Sequence, residues 1–148
     1  MEPILWHVGY QRTRSPADLA SQLSTAGITL VLDVRRRPRS QRPGYDRAGL
    51  EQEITAAGLR YASVPALGAA DHLADRWQAD HEGAIAALGE HLEQTAAPTL
   101  DRLVEVLAIE RVVVMCMCPS LDRCHRRAVL ERVSARLPNL RIEAFPLA

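Results

Sequence analysis

Apolar residues along this chain fall into short runs separated by amphipathic stretches, and the alternation predicts strands and helices in turn. "PILWHV" near the start reads as an apolar strand. A helix should follow, with Ser15 at the N-cap, Pro16 at the first helical position, Asp18 in the first turn and Gly27 just past the end. "TLVLD" (Thr29 to Asp33) is nearly continuous in apolar character, as expected of a strand buried on both faces. Asp46 starts a second helix that closes at Gly58, and "LRYASVP" supplies a third strand. Asp71 to Ala97 reads as helix, and Pro98-Thr99 opens another that runs through Glu110. "VVVMCM" (Val112 to Met117) predicts a central strand, Asp122 to Leu137 a long amphipathic helix, and "LRIEAF" a fifth strand.

Strand–helix alternation of this kind predicts an α/β fold: a single domain over residues 1–148 with a mostly parallel five-stranded sheet and helices on both faces. The layout is Rossmann-like, without a glycine-rich dinucleotide fingerprint. Such sheets bind ligands outside the carboxyl ends of their strands. Those ends are Gly9 and Tyr10, Asp33 to Arg35, Pro65 to Gly68, and Cys116 to Arg126, which gathers most of the chemically distinctive residues in one region.

Composition narrows the chemistry. The chain has 148 residues, enough for one well-formed core, and no apolar run approaches the roughly 20 residues of a membrane span. Neither a signal-peptide pattern at the N-terminus nor an even cysteine count is present, so a reducing, cytoplasmic setting is expected. Net charge is zero, yet all 18 basic residues are arginine. Without lysine there is no Schiff base to pyridoxal phosphate and no phosphate-loop lysine. Arg35, Arg36, Arg37, Arg39 and Arg42 cluster after the second strand, and Arg123, Arg126 and Arg127 cluster after the cysteines. Local basic clusters on a neutral chain point to a small anionic ligand. Nucleic acid is disfavoured by zero net charge and 4% aromatics.

The segment "CMCPSLDRCHRR" carries three competing readings. Cys116, Cys118, Cys124 and His125 are zinc-favoured ligand types, but their spacing departs from the usual structural pairs, so no metal and no cofactor are expected. Cys118 to Arg123 forms a short turn from strand into helix, like the nucleophile loops of rhodanese-type and cysteine-phosphatase enzymes, and "LVLDVR" resembles a rhodanese stretch. Against this, Pro119 removes one amide of the anion cradle and "PSLD" lacks glycine. A thiolate there would make Cys118 a nucleophile. In the third reading Cys118 is only packed at a strand end.

With Asp122 as N-cap and 100° per residue, Val129, Leu130, Val133 and Leu137 form the buried stripe, and Arg126 falls on it. Cys124 then points roughly to solvent and His125 lies at the flank. A buried arginine needs a partner, and Asp33 is the expected one, either as a structural bridge or as an orienting group for a ligand-binding Arg126. Arg36, Arg37 and Arg42 read as solvated surface, Tyr10 as a loop residue near the crevice, and His7 as a core or edge histidine. His72, His81 and His91 lie on helical stretches without an assigned role.

"HVGYQRTRSPADLASQL", "GITLVLDVRRRPRSQRPGYD", "AAGLRYASVPALG" and "VVVMCMCPSLDRCHRRAVLERV" together resemble domain-of-unknown-function family 488 over nearly the whole chain. The resemblance implies Gly9, Asp33, Arg35, Pro38, Ser40, Tyr61, Leu67, Gly68, Cys116, Cys124, His125 and Arg126 as motif positions. Tyr10 and Gln11 stand where the family has His and Ser, Ala69 replaces a Gly, and Cys118 replaces a Glu. That last departure argues against Cys118 as a nucleophile common to the family. The leading expectation is binding, with or without turnover, of a small phosphate- or carboxylate-bearing molecule. Its pocket takes in Asp33, Arg35, Ser40, Cys116, Cys124, Arg126, Tyr10 and Gly68, with His125 as the proton-transfer group and Cys118 as a second catalytic candidate. Whether it is an enzyme, and its oligomeric state, stay open.

Overall fold

The computed structural model describes residues 2–148. Five strands form one sheet: β1 (Ile4–Gly9), β2 (Leu30–Asp33), β3 (Arg60–Ser63), β4 (Val112–Cys116) and β5 (Arg141–Ala144). Their order across the sheet is β3-β2-β4-β1-β5, and every pairing is parallel. The helices are α1 (Pro16–Thr25), α2 (Arg47–Ala56), α3 (Ala74–Ala79), α4 (His81–Leu107) and α5 (Arg126–Arg136).

Right-handed crossovers dictate where these helices lie. The chain moves from β1 to β2 to β3 in one direction, then reverses through β4 to β5, so the two sets of helices cover opposite faces. Leu19 and Leu23 of α1 and Leu50 and Ile54 of α2 pack on Val31, Val113 and Met115. On the other face, Leu88 and Leu92 of α4 and Val129 and Val133 of α5 pack on Leu32, Val112 and Val114. β4 alternates strictly between the two cores, as a pleated strand must.

Local signals explain the first half of the fold. The Ser15 hydroxyl accepts from Asp18 N at 3.0 Å and Asp46 accepts from Gly49 N at 3.0 Å, capping α1 and α2. Gly27 and Gly58 leave those helices at φ of 82° and 89°, the left-handed conformation that favours glycine.

The middle departs from expectation. Asp71 to Ala97 is not one helix: α3 stops at Ala79, and Asp80 caps α4 by accepting from Gly83 N at 3.0 Å. The break expected at Pro98 occurs two residues earlier, where Ala96 takes φ −137° and ψ 20°. Proline cannot donate an N–H to the Gln94 carbonyl and its ring crowds that carbonyl, so α4 bends in the turn before Pro98 and continues to Leu107.

The last helix also begins later. Asp122 does not cap it; α5 starts at Arg126. The intervening residues make i to i+3 turns, with Cys124 N donating to Leu121 O and Arg127 N to Cys124 O, each at 3.0 Å. Tighter turns advance each residue further round the axis than an α-helix does. Cys124 consequently faces inward and is 0% exposed, correcting the solvent-facing orientation expected of it.

Candidate functional site

Adjacent strands whose following helices go to opposite faces leave a crevice at their carboxyl ends. β1 and β4 are such a pair, with Gly9 beside Cys116. Gly9 is packed against the Cys118–Pro119 peptide so closely that a Cβ there would overlap the Cys118 carbonyl. Gly68 serves the same purpose nearby, because a Cβ would run into the backbone of Arg36. Both glycines hold loops in place by close approach.

The sheet divides the expected site residues in two. Asp33 shares the strand parity of Val31, on the face covered by α1 and α2. It is fully buried and takes a bidentate pair from Arg35, Nε to Oδ1 at 2.9 Å and Nη2 to Oδ2 at 2.7 Å. The Tyr61 hydroxyl also donates to Asp33 Oδ2. Arg35 Nη1 donates to the Tyr45 carbonyl at 2.7 Å and to the Tyr10 hydroxyl at 3.3 Å, and Tyr10 stacks on Tyr45 with centroids 4.8 Å apart. Burial depresses the Arg35 pKa, but the Asp33 contacts outweigh it and raise the group above its ordinary value. Burial, then the Asp33 hydrogen bond, pushes the Tyr61 hydroxyl up. Ser40 accepts from Arg42 N at 3.1 Å and shapes the loop.

Arg126 lies on the opposite face, so it does not pair with Asp33. It is 1% exposed. Its Nε donates to His7 Nδ1 at 3.2 Å, and its Nη1 donates to Cys116 Sγ at 3.0 Å and to the Cys118 carbonyl at 2.6 Å. Among the described residues no carboxylate pairs with Arg126. His7, expected only as a core or edge residue, is therefore the neutral acceptor for a buried guanidinium; burial first, then Arg126, lowers its pKa to about 4. Strand parity with Leu5 was the signal that placed it on this face.

Around Arg126 the cysteines converge. Cys116 Sγ and Cys124 Sγ are 2.8 Å apart and both residues are 0% exposed. Cys118 is half-buried and borders a cavity of about 260 Å³ together with Ala70, Leu73, Trp77, Arg123 and His125. Interaction with the Cys116 and Cys124 thiols, followed by the influence of His125 and the Arg126 charge, holds Cys118 well below the ordinary cysteine range against the opposing effect of burial. The neighbouring thiols move the other way: hydrogen bonding with Cys118 raises Cys116, and hydrogen bonding with Cys116 raises Cys124. Burial lowers His125, whose Nε2 is enclosed without a hydrogen-bond partner. Trp77, which donates from Nε1 to the Arg123 carbonyl at 3.0 Å, closes the cavity from α3 and carried no sequence signal.

Cys116, Cys124 and His125 are the residues that could hold a metal, their ligand atoms lying within 4.8 Å of one another. Two sulfurs on one tetrahedral zinc stand about 3.7 Å apart for a Zn–S length of about 2.3 Å. The 2.8 Å separation is too short for two sulfurs on one zinc, and the Arg126 donor already engages the Cys116 sulfur.

A family model described as "Domain of unknown function DUF488" matches residues 15–133. The chain belongs to this family. The matched stretch contains the three cysteines, His125, Arg126, Asp33 and Arg35, while β1, with His7 and Gly9, precedes it. No curated protein and no solved structure matches the chain. Among the described residues of this DUF488 member, no helix is long and apolar enough to cross a membrane.

Proposed function

We propose that this DUF488 protein is a thiol-dependent enzyme in which Cys118, held as a thiolate, attacks a small electrophile seated in the cavity beside Trp77 and His125. One observation carries the reading: Arg126 is a buried cation without a carboxylate, donating to the Cys116 sulfur and the Cys118 carbonyl, and Cys118 is the sulfur-bearing residue that reaches the cavity. An unpaired buried charge costs several kcal/mol. A thiolate is the available counter-charge, and the neighbouring thiols together with the Arg126 charge favour it at Cys118. The position at strand carboxyl ends is the one expected of a Rossmann-like layout.

The anionic-ligand reading is retained at a different arginine. Arg35 and Arg126 direct donors to protein acceptors, whereas Arg123 borders the cavity and makes no ion pair among the described residues. Arg123 would meet an acidic group on the substrate while the apolar wall holds its body.

Alkylation by iodoacetamide, located by peptide mass spectrometry, tests both. Labelling of Cys118 should stay flat between about pH 4 and pH 8, whereas an ordinary thiol of pKa about 8.5 speeds up roughly tenfold per pH unit over that range. The flatness is diagnostic rather than the speed, because a strongly stabilised thiolate is also a weaker nucleophile. A tenfold-per-unit climb through pH 7 would disprove the thiolate. Added phosphate should slow labelling in the parent and not in Arg123→Gln; equal labelling with and without phosphate removes the anionic group from the substrate.

A further inference from the structure

A thiolate nucleophile does not by itself require two more thiols. Ester hydrolysis uses one sulfur and leaves Cys116 and Cys124 unexplained. Yet these two are fully buried, with sulfurs 2.8 Å apart, in the core cluster against which Cys118 packs. We infer that the three cysteines form a two-electron relay that reduces a small organic hydroperoxide, Cys118 meeting the oxidant and the Cys116–Cys124 pair ending as a disulfide. The inference rests on the reading of Cys118 as the accessible thiolate.

The chemistry balances in three steps. The Cys118 thiolate attacks the terminal peroxide oxygen, the O–O bond breaks, and the alkoxide leaves with a proton from solvent, giving Cys118 sulfenic acid and an alcohol. The Cys124 thiol then attacks the Cys118 sulfur, forming a Cys118–Cys124 disulfide and releasing water. Cys116 attacks the Cys124 sulfur, gives up its proton, and returns Cys118 as a thiolate. In sum, one hydroperoxide and two thiols become an alcohol, water and one disulfide. An external dithiol reduces that disulfide to restore the starting state.

Two features favour a small hydroperoxide over other oxidants. The cavity, about 260 Å³ and walled by Ala70, Leu73 and Trp77, suits a compact apolar body rather than a protein disulfide. Arg126, already donating to the Cys118 carbonyl, keeps positive charge beside the sulfur while negative charge passes to oxygen.

The test uses the full reduced chain, treated under anaerobic conditions with one equivalent of cumene hydroperoxide, then alkylated, digested and mapped. A Cys116–Cys124 disulfide with Cys118 alkylatable is expected. Peroxide consumption by Cys118→Ser should fall by about 30-fold or more at pH 7, since an ordinary thiol is only about 3% ionised there. Cys124→Ser should halt at Cys118 sulfenic acid, trapped by dimedone; Cys124→Ala serves if the serine variant does not fold. Cys118 sulfinic acid in the parent, with Cys116 and Cys124 still thiols, would overturn the relay and leave the thiolate reading standing. Unreduced hydroperoxide alongside pH-independent alkylation of Cys118 would do the same. Failure of that alkylation overturns both readings. Disulfide formation at the parent rate in Cys118→Ser would remove Cys118 from the relay, and oxidation by glutathione disulfide but not by hydroperoxide would refute the substrate class.

Discussion

Two buried arginines in this molecule solve the same problem in different ways. Arg35 has a carboxylate in fork-to-fork geometry; Arg126 has a histidine nitrogen, a thiol and a carbonyl. Removing the partner of the first leaves a charge stranded, so Asp33→Asn should cost about 3–5 kcal/mol in urea unfolding. Its Cys118 alkylation profile should nevertheless remain flat with pH, because the pair sits across the sheet from the sulfurs. Arg126→Met should have the reverse signature. Once the cation is gone, the Cys118 pKa should rise, with the neighbouring thiols still acting on it, so the flat range of its labelling should begin at a higher pH than in the parent. If Asp33→Asn also shifts the Cys118 labelling profile, the two faces of the sheet are coupled. Arg126 was singled out in the sequence by its place on an apolar stripe, but its partner was not, since periodicity reports which face a side chain takes and not what waits there.

At the scale of elements, caps and turns account for most of what could be read in advance. Ser15, Pro16, Asp46, Gly27 and Gly58 mark α1 and α2 correctly because each acts through its own local backbone. Asp122 was misleading. It has the residue type of a cap, but the chain there follows consecutive tight turns and α5 begins at Arg126. The two aspartate and serine sites therefore separate in experiment: Ser15→Ala should lower stability by about 1 kcal/mol, the usual cost of a lost N-cap. Asp122→Ala should stay within about 0.5 kcal/mol, as exposed substitutions do. Chemical denaturation of both variants at neutral pH checks the contrast, and a larger loss at Asp122 would mean that it does cap the helix. What the sequence withheld was the turn geometry of "PSLDRCH", and with it the inward rotation of Cys124. No single residue in that stretch encodes it; packing against the Cys116 strand end selects it.

For the whole molecule, the sheet and its carboxyl-end crevice were legible because alternation and right-handed crossover leave few choices. The division of the expected site between two faces was not, although strand parity contained it. Global stability should register the buried histidine. His7 titrates near 6.5 when unfolded and at about 4 when folded. Between those values the unfolded chain binds the extra proton, so stability falls as pH drops from 6.5 and levels off near 4. The difference amounts to about 3 kcal/mol at about 1.4 kcal/mol per pKa unit. His7→Asn, which keeps an acceptor for Arg126, should lose most of this slope relative to the parent in denaturation series across that range. Identical slopes would show that His7 is not neutral in the fold.

The pairing of β1 with β4 has one more consequence, and it concerns time. Arg126 and the cysteines lie within about a dozen residues of one another, but the nitrogen that accepts from Arg126 belongs to His7, 119 positions earlier. A chain emerging from the ribosome makes β1 first and must keep it unpaired until β4 arrives, because β4 inserts between β1 and β2. Such distant pairing is a late event in folding. Through that interval the cysteines lack both the Arg126 contact in its final geometry and the packing of the finished sheet. On the proposed thiolate chemistry, reactivity is thereby tied to completion: an unfinished or misfolded copy of this protein carries three sulfurs but no armed one.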